Sequence, residues 1–174
     1  MARMVGMTQH AATANPLRVV SMSTPAEALA FRTLNEEWIS EIFTLEEADR
    51  VILSDPVGQV VEPGGDVLIA RDSRDEIVGC VALVPFGPSE DGVCELSKMT
   101  VAASARGQGV GRVLLQAAIE RARRLGARTL FLGSNGKLAD AVHLYESVGF
   151  QRVSAEEIGP MPYARAEIFM RLAL

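Results

Sequence analysis

Arg106-Gly107-Gln108-Gly109-Val110-Gly111-Arg112 is the stretch on which the fold turns. Before it runs Val93-Cys94-Glu95-Leu96-Ser97-Lys98-Met99-Thr100-Val101, a strand-like segment. After it comes a helical pattern with apolar residues at Val110, Val113, Leu114, Ala117, Ala118, Ala122 and Leu125, the spacing of one buried face. Strand, glycine-rich turn and helix start, in that order, make an anion site. The first amides of a helix have no intrahelical partner, and the macrodipole places about half a positive charge there. Glycines at 107, 109 and 111 omit the Cβ atoms that would hold a phosphate off the backbone. Arg106 and Arg112 add charged donors. The predicted guest is a phosphate or pyrophosphate.

The kind of phosphate loop follows from its spacing. A dinucleotide fingerprint needs a third glycine where Arg112 stands, and a Walker loop needs a Gly-Lys-Ser/Thr that is absent. What stands here is Arg-x-x-Gly-x-Gly behind a β-run. Glu95-Leu96-x-x-Met99-x-Val101 precedes it, Asn135 follows the next strand, and Leu144-Tyr145-x-x-x-Gly149-Phe150 closes the next helix. On these residues, which span Glu95 to Phe150, the chain resembles the GCN5-related N-acetyltransferase (GNAT) superfamily. Tyr163-Ala164-Arg165-Ala166 is similar to a segment of its small, single-domain bacterial members.

The resemblance implies an α/β (α+β) fold, with a mixed, mostly antiparallel central sheet and helices on both faces. It implies an N-acetyltransferase of the acyltransferase class, with acetyl-CoA as donor. The acetyl group would pass to a primary amine of a small molecule by direct transfer in a ternary complex. Two alternatives stay open: acetylation of a protein N-terminus or lysine, and a non-catalytic module that binds coenzyme A as a sensor. An ATP site is disfavoured, because the loop lacks the Walker lysine and the Mg²⁺-binding hydroxyl.

Residue by residue, the resemblance assigns the pyrophosphate to Arg106, Gly107, Gln108, Gly109, Val110, Gly111 and Arg112. It assigns the pantetheine arm to the backbone of Met99 and Val101 and to the Asn135 amide. Tyr145 would hydrogen-bond the coenzyme sulfur and protonate the leaving thiolate. Glu95 would be the base, directly or through a water. Strict alternation puts Glu95 on one face with Ser97 and Met99, opposite Leu96. A carboxylate on a cleft floor can be raised by desolvation toward the pKa a base needs. Tyr145 shares its helix's apolar face with Leu138, Ala141, Val142 and Val148. His143 lies about 200° around that helix from Tyr145 and is expected on the surface. For the acceptor, Trp38, Glu36 and Glu37 on the first helix and Tyr163 and Arg165 near the end are the candidates. Glu36 or Glu37 would pair with an ammonium and Arg165 with a carboxylate, which suits an amino-acid-like or a polyamine-like amine.

Composition narrows the remaining choices. The 174 residues suit one domain, expected over 17–174 behind a flexible leader at 1–16. A net charge of −5 argues against a nucleic-acid partner, which calls for a basic face. Arg121, Arg123, Arg124 and Arg128 are the local exception, read as a solvated helix face with a Glu120–Arg124 pair. Cys80 and Cys94 lack metal-site spacing and make no disulfide framework; no metal is expected. No apolar run reaches the roughly 18 residues of a membrane span, so the expected place is the cytoplasm, without a membrane partner. Many members of the superfamily dimerise, so the resemblance also implies a homodimer.

The remaining elements read in order. Leu17 to Met22 is a short strand. Thr24-Pro25-Ala26-Glu27 is a complete helix start, and that helix runs to about Ile39 with Phe31, Leu34 and Trp38 on one face. Thr44-Leu45-Glu46-Glu47 reads as a second capping box, opening a helix that stops before Asp55-Pro56. Gly58 to Gly65 reads as a loop, then Val67–Ala70 and Ile77–Val84 as a hairpin. Gly126 ends the helix after the phosphate loop. Strands follow at Arg128–Gly133, Phe150–Val153 and Ala166–Leu172, the last two joined by a loop from Ser154 to Tyr163.

Overall fold

A computed structural model describes residues 17–174; the leader expected over 1–16 lies outside the described residues. Seven strands form one sheet: β1 (Arg18–Ser21), β2 (Asp66–Arg71), β3 (Ile77–Pro85), β4 (Val93–Val101), β5 (Thr129–Ser134), β6 (Gln151–Val153) and β7 (Ile168–Ala173). Their order is β1-β2-β3-β4-β5-β7-β6. Every pairing is antiparallel except that of β4 with β5. The mixed, mostly antiparallel sheet expected from the sequence is therefore present.

Helices cover both faces. α1 (Pro25–Ile42) and α2 (Glu47–Ser54) lie on one side, α3 (Val110–Arg124) and α4 (Ala139–Ser147) on the other. β2 is buried on both of its faces because each is covered. Val67 and Ile69 pack with Phe31 of α1 and Ile52 and Leu53 of α2. Leu68 and Ala70 pack with Leu114 and Ala118 of α3. An unbroken apolar strand is what such double burial requires. A wholly buried side chain such as Phe31 contributes about 1.5–3 kcal/mol.

α1 starts where its local chemistry says it should. Thr24 Oγ1 accepts from the Glu27 amide at 3.2 Å, and the Glu27 carboxylate accepts from the Thr24 amide at 3.1 Å. Glu27 also takes Arg71 of β2 at 2.8 Å, so the cap fastens the helix to the sheet.

Five local expectations are corrected. α2 begins at Glu47 rather than behind Thr44, because Asp49 turns back to the Glu46 amide at 2.9 Å and caps the helix there. The loop expected over 58–65 contains a wide helical turn, Val57–Val61, that drives Val60 into the core. In α3 the buried stripe is Val110, Leu114, Leu115, Ala118, Ile119 and Ala122, while Val113 is exposed. The α3 arginines serve other partners: Glu120 pairs with Arg123, and Arg121 reaches Asp66 of β2 at 2.5 Å. The connection before β7 includes one further short helix, α5 (Ala155–Ile158).

β4 departs from strict alternation. Ala82 faces Ser97 and Cys80 faces Thr100, so Val81 alone spans both Lys98 and Met99. That is a β-bulge, and Lys98 takes the left-handed conformation it needs, with φ +53°. One extra residue swaps the faces beyond it. Met99 and Val101 consequently pack toward the cluster of Leu96, under α3, and the expected shared face of Glu95 and Met99 does not exist. Lys98 is turned instead to the α1–α2 side, where it meets Asp49.

Candidate active site

The parallel ladder between β4 and β5 is short. It pairs Val93 with Thr129, Cys94 with Leu130 and Glu95 with Phe131, and stops there. Beyond it β4 stays with β3 and β5 stays with β7, so the sheet opens. The gap is a cleft of about 610 Å³. Its floor is β4 from Glu95 to Val101, its sides are the end of β5 with α4 and the end of α1 with the segment around Tyr163, and its mouth is the glycine loop.

At the mouth, Gly107 and Gly109 take φ values of +74° and +81°, a region that side chains rarely occupy. A Cβ on either would meet nothing within 4 Å, so the bare backbone faces open space. Gly109 caps α3 without a side-chain hydrogen bond, and the first helical bond runs from the Val113 amide to the Gly109 carbonyl. The amides of Val110, Gly111 and Arg112 precede it, with no capping side chain to satisfy them. Arg106 donates from Nε to the Val101 carbonyl at 3.3 Å, which holds its guanidinium at the loop. Arg106, Gly107, Gly109, Val110 and Gly111 line the cleft. Gln108 bonds back to the Ser104 carbonyl, and Arg112 reaches Ser147 of α4; neither lines it.

Glu95 and Tyr145 lie on the same cleft. Burial raises Glu95 above the ordinary carboxylate value, against the opposing pull of the Lys98 ammonium and a hydrogen bond from Ser97. Tyr145 is 8% exposed, and burial pushes its hydroxyl up to about 12. Among the described residues that hydroxyl has no hydrogen-bond partner; the ring packs at 5.8 Å from Phe150. A phenol so held keeps its proton at neutral pH. A raised carboxyl is the better base.

Asn135 lines the cleft with its amide already engaged. Its Nδ2 donates to the Arg165 carbonyl at 2.8 Å, and its Oδ1 accepts from the Lys137 amide at 3.0 Å. Of the acceptor candidates, Trp38, Tyr163 and Arg165 line the cleft. Glu36 pairs with Arg32 and Glu37 is exposed, and neither lines it; Glu41 and Phe43, one turn on, do. His143 is exposed, as its position on α4 predicts.

The Acetyltransferase (GNAT) family model matches residues 28–150. The chain belongs to the GNAT acetyltransferase family. It is similar to an uncharacterized N-acetyltransferase of Schizosaccharomyces pombe, 29% identical over 91% of this chain and 95% of that one. It is also similar to an amino-acid acetyltransferase of Pseudomonas aeruginosa, 38% identical over 53% of this chain but only 19% of that protein. The fold matches a GNAT-family acetyltransferase of Staphylococcus aureus with a TM-score of 0.80, at 16% identity, covering 91% of this chain and 99% of that one.

GNAT enzymes are N-acetyltransferases that draw the acetyl group from acetyl-CoA. The glycine loop of this GNAT chain fits that donor: unpartnered amides, a nearby guanidinium and open space where Cβ atoms are missing are the chemistry a pyrophosphate needs. Among the described residues no three or more His, Cys, Asp or Glu converge as a metal site. No helix of the described residues is long and apolar enough to cross a membrane. Cys80 and Cys94 are free and buried, their thiols pushed up to about 12 by burial.

The sequence reading placed Tyr163 and Arg165 at the cleft but missed their partners Lys98, Asp49 and Glu46. Lys98 Nζ lies 3.0 Å from Asp49 Oδ1 and donates to the Tyr163 hydroxyl at 2.8 Å, 4.0 Å above that ring's centre. Arg165 takes both Asp49 oxygens, at 2.6 and 2.7 Å, and Glu46 at 2.9 Å. Burial pushes Asp49 up, but Arg165 and Lys98 outweigh it and hold the carboxyl at about 2. Two signals were available: a lysine inside an otherwise buried strand, and Asp49 at helical spacing from the buried Ile52 and Leu53.

Proposed function

We propose that this chain transfers the acetyl group of acetyl-CoA directly to a primary amine of a small molecule, with both substrates bound together. The observation that carries this reading is the opening of β4 from β5 just past Glu95, which puts Glu95 and Tyr145 on one cleft with the glycine loop at its mouth. Acetyl-CoA supplies the acetyl group as an activated thioester. Glu95 takes a proton from the acceptor amine, directly or through a water, and its raised pKa suits that task. Tyr145 Oη gives a proton to the departing sulfur. Past Glu95 the edge of β4 that faced β5 has no strand partner, and an amide on that edge can offset charge developing on an oxygen, an effect worth about 3 kcal/mol per donor. Met99 and Val101 offer further backbone groups along the same floor. The name of the Pseudomonas aeruginosa relative, an amino-acid acetyltransferase, supports a small acceptor. Two free buried thiols suit the reducing cytoplasm.

The test is calorimetric titration with acetyl-CoA, CoA and ATP, followed by CoA release in the presence of amines. Micromolar acetyl-CoA binding without ATP binding, and amine-dependent CoA release, are the expected results. Well-folded protein that binds no coenzyme would remove the reading.

A further inference from the structure

The acceptor side of the cleft is built in two layers of opposite charge. Lys98, Tyr163 and Arg165 line the cleft. Their counter-ions stand behind them: Asp49 is fully buried, and neither it nor Glu46 is part of the lining. Every Asp49 oxygen is already taken by Lys98, Arg165 or the Glu46 amide. Glu46 is spent on Arg165 and the Ala164 amide. What reaches the cleft is therefore the donor side of each pair. The acidic groups that do line it elsewhere are Glu95, in its own role, and Glu41 and Asp140, both solvent-exposed.

Tyr163 is the sharpest element of this wall. Its hydroxyl oxygen accepts from Lys98 at 2.8 Å, so its proton is left to give, and among the described residues nothing takes it. A hydroxyl that accepts from an ammonium is a stronger donor in turn. Arg165 has committed both terminal nitrogens to Asp49 and Glu46 and serves to fix the wall.

Building on the acetyl-transfer reading above, we infer that the acceptor carries a carboxylate, received by the Tyr163 hydroxyl, with Lys98 as the positioning residue that holds and polarises it. This selects the amino-acid-like acceptor over the polyamine-like one. A second ammonium would meet donors where it needs acceptors.

The test uses amino carboxylates of increasing length from glycine to aminohexanoate, each against its carboxamide and the diamine of equal length. The wild type is expected to favour the carboxylate in kcat/KM at the length that spans the cleft. Tyr163→Phe keeps the ring over Lys98 and removes only the hydroxyl. It should cut the carboxylate-to-carboxamide ratio by about ten- to a hundred-fold, the range of one hydrogen bond to a charged group, and should do so through KM. Comparing the ratio between variants cancels differences in amine basicity. Lys98→Met should lower the ratio as well, and Lys98→Arg should restore part of it. A wild type that prefers the diamine or the carboxamide, or a ratio unmoved by Tyr163→Phe, overturns the inference. If no amine is acetylated, the acetyl-transfer reading is what fails. Titration of the CoA-loaded protein then decides the wall separately: carboxylate binding weakened by Tyr163→Phe supports it, and equal binding of carboxylate and carboxamide overturns it.

Discussion

Glu95 stands opposite Phe131 in the last pair of the parallel ladder between β4 and β5. The strands part immediately afterwards, so the carboxylate sits where the sheet ceases to be closed. A group there is half-sheltered by the strands and half-open to the cleft, which is why burial shifts it without silencing it.

Tyr145 is the proton donor proposed for the departing sulfur. Tyr145→Phe is expected to lower kcat by about a hundred-fold or more, the usual scale of a positioned general acid. Calorimetry should find acetyl-CoA affinity unchanged, since the ring and its packing on Phe150 remain. Unaltered turnover on the true acceptor would take Tyr145 out of the chemistry.

Glu95 should titrate above the ordinary value of 4.5, read by carbon NMR of the labelled carboxyl. In Lys98→Met it should titrate higher still, because the ammonium now lowers it. As a base Glu95 must be unprotonated, so the activity it supports is present above its pKa and lost as pH falls through it. A downward move in Lys98→Met would contradict the geometry.

Asp49 makes a stability prediction. Its folded pKa of about 2 lies below the value near 3.8 of a free aspartate. The ionised form therefore stabilises the fold fully above about pH 4, and this contribution of about 2 kcal/mol fades as pH falls toward 2. Asp49→Asn leaves Lys98 and Arg165 facing each other without their shared anion. Urea unfolding at neutral pH should show a loss of about 3–5 kcal/mol, and the variant should lack this part of the acid-side decline. A loss under 1 kcal/mol would mean that water replaces the carboxylate.

Gly109 separates folding from binding. Gly109→Ala strains a left-handed residue by about 1–2 kcal/mol, which a chain of this size tolerates. Its Cβ would enter the open space before the α3 amides. Acetyl-CoA affinity should fall at least tenfold while circular dichroism stays native, and retained affinity would move the phosphate elsewhere.

The parts of this molecule that read cleanly from sequence are those decided by neighbours in the chain. The Thr24–Glu27 cap closes within four residues, and the glycine turn into α3 needs only its strand, its glycines and its helix. The parts that did not read depend on distant partners or on counting. Asp49, Lys98 and Arg165 meet from three separate segments, and nothing local to any one of them names the other two. α3 offered apolar residues over too wide an arc, so Val113 and Leu115 exchanged places between surface and core. On α1 the cleft takes Glu41 and Phe43 where Glu36 and Glu37 were expected, because the helix runs three residues past Ile39 and its last turn makes the wall. In β4 the alternation held up to Ser97 and then changed phase at a residue that does not advertise a bulge.

That change of phase sets the grammar of any mutational scan through β4. Up to Ser97 the odd-numbered positions belong to the side of α1 and α2 and the even ones to the packing beneath α3. From Lys98 onward the parities exchange. A substitution table scored on one parity would assign half of the strand to the wrong partner. Deleting Lys98 would restore the regular alternation and leave Ser97 opposite Ala82 and Thr100 opposite Cys80, so the strand would lose its ammonium while Met99, Thr100 and Val101 kept the faces they already hold.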